Sequence, residues 1–491
     1  MASIHDCPTE LLLNISLHCD QPSLLSLALI AKKFHGPAEE ALYTSPVVPN
    51  HSSKRSRIVG LVRMLLRRPE LVKKVRSLDI FIRDSTEADG GVFTSTDIAN
   101  AVTTINISGM SKYPEKLLSG WRCEQNWAGL LLYMVPNLEA LNLDWSPSYH
   151  NVFNMLWSMN GILRLSDFPP NFEGLKNLRM YGCDIQWDWI ALPSLQHLEL
   201  GPRSRPRRGL FPGCFPESNV TSFSYKCSTE VLSPRKGLVS SAIPAIIAPT
   251  TSGTDTSLEE FPAILNYFKH LRTIRIQLKN TEMEETPSGS LGYWSHRQPR
   301  TYFKQLGSFD TLIKYLEEDR FFESLEHLHI TVAEDSDVTF LDGISPIQTL
   351  HMFPRLKTLN VPENALFRHD PTDPYRSVQK LKKFNLSDIL PSSVEELTIS
   401  CPDFSVSSVL KELLQHTGAL PRLSRVTLHP RNNRGADALS LWFAPRIPWF
   451  MFSRCGITIS IRWGGHHYEM GRAEEQLDGE VDAMTQWLER M

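Results

Sequence analysis

The side chains best suited to chemistry in this 491-residue chain are its histidines, cysteines and clustered arginines. His327 and His329 stand two apart in an alternating segment, so on a strand both imidazoles leave the same face, as two metal ligands would. Exposed polar positions on a repeat strand are the favoured reading of the pair. His466 and His467 adjoin Gly464-Gly465 and Glu469, but consecutive strand residues diverge and make a poor bidentate site. The eight cysteines are scattered with no CxxC spacing, which supports neither a zinc site nor a disulfide framework and fits a reducing compartment. The chain holds no GxSxG elbow, GxxxxGK[ST] phosphate loop, HExxH helix or strand-linked GxGxxG. No catalytic residue, metal or cofactor is therefore expected.

Two basic clusters remain. From Lys54 to Arg76 there are nine Lys and Arg against one acid, Glu70, with Ile58, Leu61, Val62 and Leu65 interleaved at helical spacing. This predicts an amphipathic connector helix whose basic face is solvated or meets an anionic partner. The segment Pro202–Gly209 carries four arginines and reads as a solvated loop or an acceptor of acidic groups.

The bulk composition narrows the class. With 51 Lys and Arg against 54 Asp and Glu, the net charge of −3 excludes a surface built wholly for nucleic acid or anionic lipid. A hydrophobic fraction of 41% suffices for a large core. No run approaches a membrane span, and Asp6 and Glu10 spoil any signal peptide at the N-terminus. An intracellular protein, cytoplasmic or nuclear, is expected, with neither membrane nor nucleic acid as a partner. The length corresponds to roughly three domains unless one extended architecture absorbs it.

The elements that must position any site repeat along the chain. Apolar-x-x-apolar-x-apolar occurs at Val75–Ile80, Leu138–Leu143, Leu175–Met180, Leu195–Leu200, Val220–Tyr225, Leu271–Ile276, Leu325–Ile330, Leu356–Val361, Val394–Ile399 and Leu423–Leu428, with Ile457–Ile461 as a weaker member. Each copy has strand periodicity, and helical stretches such as Ser257–Phe268, Thr311–Asp319 and Val406–His416 lie between. The fold class expected is α/β, an irregular leucine-rich-repeat solenoid over 75–473. Loop insertions are expected near 83–108, 227–256 and 280–300, and an amphipathic capping helix over 474–491. A conventional mixed α/β domain is the alternative.

Alternation turns one set of strand residues outward onto a shared face. These are Asn142 and Asp144, Arg179 and Tyr181, His197 and Glu199, then Ser224 and Lys226, Arg275 and Gln277, and His327 and His329. Asn360, Thr398, Thr427 and His429 continue the series. A mixed polar face of this kind suits recognition of a protein or peptide, so Asn142, Asp144, Arg179, Tyr181, His197, Glu199, Arg275, Gln277, His327 and His329 are the candidate target-binding residues. Trp145, Trp187 and Trp189 supply either aromatic anchors or packing between repeats.

The first 50 residues predict three short helices. Pro8 opens the first, with Leu11, Leu12 and Ile15 on one face; the second runs from Ser23 to Phe34 and is apolar almost all round; Gly36-Pro37 ends it. The run Pro8-Thr9-Glu10-Leu11-Leu12-Leu13-Asn14-Ile15, then Leu24-Leu25-Ser26-Leu27-Ala28-Leu29 and Lys32-Lys33-Phe34, resembles the F-box, with Cys7 in place of the usual leucine and Ala31 where Ser or Cys is common. That resemblance implies docking on the adaptor subunit of an SCF-type ubiquitin ligase, and through it on a cullin, by Pro8, Leu11, Leu12, Ile15, Leu24, Leu25, Leu29 and Phe34. It implies a three-helix module over 1–50, a basic connector over 51–74, and a substrate receptor without a covalent step of its own. A repeat scaffold outside ubiquitin transfer, and an enzyme with an unrecognised site, stay open.

Overall fold

A computed structural model describes residues 7–49, 56–83, 124–146, 172–182, 187–201, 204, 218–228, 260–265, 267–279, 307–318, 321–333, 341, 344–367, 386–402, 406–430, 449–463 and 466–470. The expected insertions, beyond their first residues, and the expected capping helix lie outside them. The chain divides into two compact units, Met1–Val220 and Thr221–Met491.

The first unit begins with helices α1 (Thr9–Leu17), α2 (Gln21–Ile30) and α3 (Lys32–Thr44). Asp20 caps α2 by accepting the Ser23 N–H at 2.9 Å, which holds its carboxyl below the usual range. Both α1 and α2 pack on α3, where Leu24, Ala38 and Ala41 form the centre of a small core. The break between α2 and α3 falls at Ala31, in extended conformation, and not at Gly36-Pro37. Pro37 sits inside α3 because Phe34, Pro37, Ala38 and Ala41 share one buried stripe. The burial of that stripe offsets the hydrogen bond that proline cannot donate.

The basic connector forms α4 (Arg57–Arg67), with Ile58, Val59, Val62 and Leu65 inward, and a short turn over Pro69–Val72. Three of the cluster's cations meet carboxylates of the same chain. Arg68 grips Glu39 of α3 with both arms of its guanidinium and pairs with Glu70 at 2.9 Å, Lys74 pairs with Glu40 at 2.7 Å, and Arg76 approaches Glu139 at 3.6 Å. These pairs are half-exposed, and solvent screening keeps each of them weak. Their effect is positional: they fasten α3 to the chain that enters the sheet.

That sheet runs in chain order, every pair parallel: β1 (Val47–Val48), β2 (Ser77–Arg83), β3 (Ala140–Ser146), β4 (Asn177–Tyr181) and β5 (His197–Leu200). The helix Glu124–Met134 and α4 pack together, and Trp127 is fully buried there. In the second unit β6 (Ser222–Ser228), β7 (Thr273–Lys279), β8 (His327–Val332), β9 (Thr358–Pro362), β10 (Glu396–Ser400), β11 (Arg425–His429) and β12 (Thr458–Trp463) are again parallel and in order. An antiparallel strand, β13 (His466–Met470), comes last. The fold is α/β, with helices between several of the strands among the described residues.

One device recurs at the starts of β3, β4 and β5 and again of β7 to β11. The carbonyl of Arg76 accepts two successive N–H groups, from Glu139 and Ala140, at 2.7 and 3.0 Å. Glu139 does the same for Lys176 and Asn177, and Lys176 for Gln196 and His197. Arg272, Glu326, Lys357 and Glu395 repeat it through the second unit. The apolar residue just before each of these turns (Val75, Leu138, Leu175, Leu195, Leu271, Leu325, Leu356 and Val394) is 0% exposed. Before β12 the same place is taken by Gly456, whose φ of +75° closes the helix Trp449–Arg454 and returns Ile457 N–H to the Phe452 carbonyl.

Aromatic rings fill the core behind β6 and β7. Phe223 lies 5.0 Å from Phe268 and 6.5 Å from Phe261, and Phe261 meets Tyr225 at 5.4 Å. Removing the Phe261 ring leaves a cavity among rigid neighbours, so Phe261→Ala is expected to cost about 3–5 kcal/mol in urea unfolding. Phe322→Ala, at an exposed ring, is expected to cost less than about 0.5 kcal/mol in the same measurement.

Candidate functional site

Three surfaces gather the residues singled out from the sequence. The first is on α1 and α2. Six of the nine large apolar side chains exposed among the described residues lie there: Leu11, Ile15, Leu17, Leu25, Leu29 and Ile30. Leu11 with Ile15, and Leu25 with Leu29, are i,i+4 pairs on outer helix faces. Leu29 is 88% exposed, an unusual state for leucine at the centre of an ordered helical unit. Pro8 is exposed as well. Leu12, Leu24 and Phe34 are instead buried, at 2%, 4% and 6% exposure, and hold the three helices together. These three candidates from the sequence are therefore core residues of the module and not part of its surface.

The second surface is the outward face of β2 to β5. Register places Asp79, Asn142, Arg179 and Glu199 in one row, Phe81, Asp144 and Tyr181 in the next, and His197 in the row below. Glu199 is the hub. One oxygen accepts from Arg179 Nε at 2.8 Å and the other from the Tyr181 hydroxyl. Burial, then the hydrogen bond and charge of Glu199, raise the Tyr181 phenol well above its ordinary pKa, so it stays a donor. The amide oxygen of Asn142, between Asp79 and Arg179, is buried and has no hydrogen-bond partner among the described residues.

Two members of this cluster lie outside the candidates drawn from the sequence. Asp79 is legible in the alternation of Val75–Ile80, one strand before the first candidate, Asn142. Gly201 carries no sequence signal: a Cβ built there would lie 1.6 Å from Cδ1 of Tyr181, so only glycine lets the ring reach Glu199. The tryptophans belong elsewhere. Trp189 is buried 5.5 Å from Phe172, and Trp145 is buried too, so neither is an exposed anchor.

The third surface is the outward face of β6 to β9. Ser224, Arg275, His329 and Asn360 form one row, Ser222, Thr273, His327 and Thr358 a second, and Lys226, Gln277 and Thr331 a third. The Asn360 row continues through Thr398 to Thr427 and Ser460, which are buried and hydrogen-bonded to each other at 3.0 Å. The His329 imidazole is pushed down to about 4, first by burial and then by the positive charge of Arg275 and by His327.

No group of three or more His, Cys, Asp or Glu side chains among the described residues is arranged to hold a metal ion. No helix among them is long and apolar enough to cross a membrane. No family model matches the chain, and no curated protein matches it.

Two outcomes follow from these geometries. Gly201→Ala must evict the Tyr181 ring and is expected to cost about 1–3 kcal/mol, while in a Tyr181→Ala background the same change should be nearly neutral in a double-mutant cycle. For His329 the sign is set by a folded pKa below the unfolded value of 6.5. Above pH 6.5 both states are neutral; as pH falls toward 4 the unfolded chain takes up a proton that the folded chain refuses, and stability is lost. Wild type is therefore expected to lose about 2 kcal/mol more than His329→Gln between about pH 7 and pH 4, read by urea unfolding.

Proposed function

We propose that this chain is the substrate-recognition subunit of an SCF-type cullin ubiquitin ligase, an F-box protein whose remaining length is an irregular leucine-rich-repeat receptor. The observation that carries the reading is the uncovered leucine face of α1 and α2. Burying a leucine or isoleucine contributes roughly 1.5–3 kcal/mol, and six such side chains in about twenty residues forgo most of that in the isolated chain. A partner chain that covers them recovers it. The F-box resemblance names that partner as the ligase adaptor, and through the adaptor a cullin.

The rest of the architecture suits such a subunit. The Glu39–Arg68 and Glu40–Lys74 pairs, with β1 paired to β2 directly after α3, tie the helical unit to the sheet. A target held on the outward strand rows of the same unit would then sit at a fixed place relative to the docked adaptor. The mechanism is proximity: the receptor forms no covalent bond and raises the effective concentration of target lysines near the ubiquitin-loaded enzyme.

Two sets of substitutions separate docking from folding. Leu25→Asp with Leu29→Asp, both exposed, is expected to abolish co-purification with adaptor and cullin while leaving circular dichroism and melting unchanged. Leu24→Asp places a charge in the small core and is expected to unfold the three helices, costing several kcal/mol. Wild-type chain that never captures the adaptor would sink the reading. Capture of adaptor without cullin would make the chain a scaffold outside ubiquitin transfer.

A further inference from the structure

The three helices of the N-terminal unit are held in place very unequally. Helix α3 buries Phe34, Pro37, Ala38 and Ala41, and its Glu39 and Glu40 engage Arg68 and Lys74 of the connector. The carbonyl of Thr44, at its end, accepts the Arg76 N–H at 2.9 Å. Helix α2 buries Leu24 in the small core, with Leu27 and Ala28 packed beside it, and is capped by Asp20. Gln21 ties it to β1 by donating from Nε2 to the Val47 carbonyl at 3.3 Å.

Helix α1 has no such attachments. It packs on α3, yet of its nine residues Leu12 and Ser16 alone are buried, so Leu12 is its one buried apolar side chain. No side chain caps its N-terminus at Pro8. The side-chain hydrogen bond at its other end is local, from Cys19 Sγ to the Ile15 carbonyl at 3.4 Å. Among the described residues, no side-chain hydrogen bond or ion pair ties α1 to α2, α3 or the sheet. A helix of nine residues does not persist alone in water, so α1 stays wound only while Leu12 is seated.

The chain also supplies a pivot. The N–H groups of His18 and Cys19 return to the carbonyls of Ile15 and Ser16, and Asp20 is then extended. Cys19 packs against Leu24, Ala38 and Ala41, which anchors the point where α1 ends. What moves about that point is half of the uncovered face. Leu11, Ile15 and Leu17 ride on α1, while Leu25, Leu29 and Ile30 ride on α2. The face is whole only when α1 is in place.

We infer that α1 is a strap: in the free chain it leaves α3 and unwinds, pivoting at Cys19-Asp20, and Leu12 is the latch that closes it. Elements with few buried apolar contacts open first, and α1 has the fewest of the three helices. A partner that covers both helices binds the closed state alone, so its apparent affinity is scaled by the closed fraction. Leu12 is thereby a positioning residue, setting affinity from beneath the helix. This deepens the docking reading above and rests on it for the identity of the partner; the opening itself belongs to the free chain.

The test is amide hydrogen exchange of the full chain, followed by mass spectrometry and corrected for intrinsic rates. Protection over residues 9–18 is expected to be at least about tenfold lower than over 34–44. Leu12→Ala should lower it at least about tenfold further over 9–18 and leave 34–44 unchanged. Leu17→Ala, at an exposed side chain, should alter neither segment. Asn14→Ala, exposed and a better helix former, should raise protection over 9–18 about threefold. Equal protection of the two segments, equal loss in both on Leu12→Ala, or indifference to Asn14→Ala would overturn the proposal. Added adaptor should protect 9–18, and Leu12→Ala should weaken its capture at unchanged protection of 34–44. A chain that opens as described yet captures no adaptor overturns the ligase reading alone. One that captures adaptor while 9–18 is as protected as 34–44 in the free state overturns the strap alone.

Discussion

Everything on the outward faces depends on strand register. Side chains on a strand alternate with a period of two, so a slip of one residue would send Leu141 and Leu143 to solvent and Asn142 into the core. Two constraints prevent the slip. The apolar residue before most of the strands is buried and can occupy only one depth. The carbonyl one residue further on accepts two consecutive N–H groups at the starts of β3 to β5 and β7 to β11, which fixes the pairing there. Side chains at this place add a third restraint, because Glu139 takes Lys176 at 2.9 Å and Glu326 takes Lys357 at 2.7 Å across neighbouring strands. The rows of Arg179 and Arg275 are consequences of this repeated geometry.

The helical unit obeys a different economy. Its interior is small, and Leu12, Leu24, Phe34, Ala38 and Ala41 are nearly all it buries. A three-helix unit of this size would ordinarily turn every large apolar residue inward, since about forty residues are marginal for independent stability. Here Leu25, Leu29 and Ile30 are withheld from the core. The deficit is met by attachment: Glu39 and Glu40 engage Arg68 and Lys74, and β1 extends the neighbouring sheet. The connector and the first strands stabilise the unit from one side, which leaves its other side apolar and uncovered.

How much of this was legible in the sequence depends on which interactions are local. Strand periodicity is local, and each apolar-x-x-apolar-x-apolar copy from Val75 onward became a strand with its inner residues buried. The α/β class and the outward identity of Arg179, Glu199, Arg275 and His329 came from that pattern. The helix break did not, because the dipeptide Gly36-Pro37 is a strong local signal overridden by the stripe Phe34, Pro37, Ala38 and Ala41. Nor could periodicity tell Leu24 from Leu25 on a helix apolar all round; only the position of α3 decides which one is inside. The basic cluster between Lys54 and Arg76 looked solvated because its partners, Glu39, Glu40 and Glu139, are far away in the sequence. Gly201 was silent for the same reason: the ring it admits belongs to Tyr181, about twenty residues earlier on the neighbouring strand.

One position within the repeat carries an argument of its own. Asn142 and Asn360 lie between the two inward residues of their strands, in Leu141-Asn142-Leu143 and Leu359-Asn360-Val361. Both amide oxygens are buried, and both lack a hydrogen-bond partner among the described residues. An unsatisfied buried acceptor costs about 1–3 kcal/mol, and a hydroxyl, as at Thr398 and Thr427 in the same row, would fit a narrow ladder without that cost. Twice, in two separate units, the chain retains a group whose hydrogen bond its own described residues leave unmade. Beside Asn142 stand Asp79 and Arg179, and beside Asn360 stand His329 and Thr398, so the two unmade hydrogen bonds lie in rows of different polarity, acidic around Asn142 and basic on the strands before Asn360.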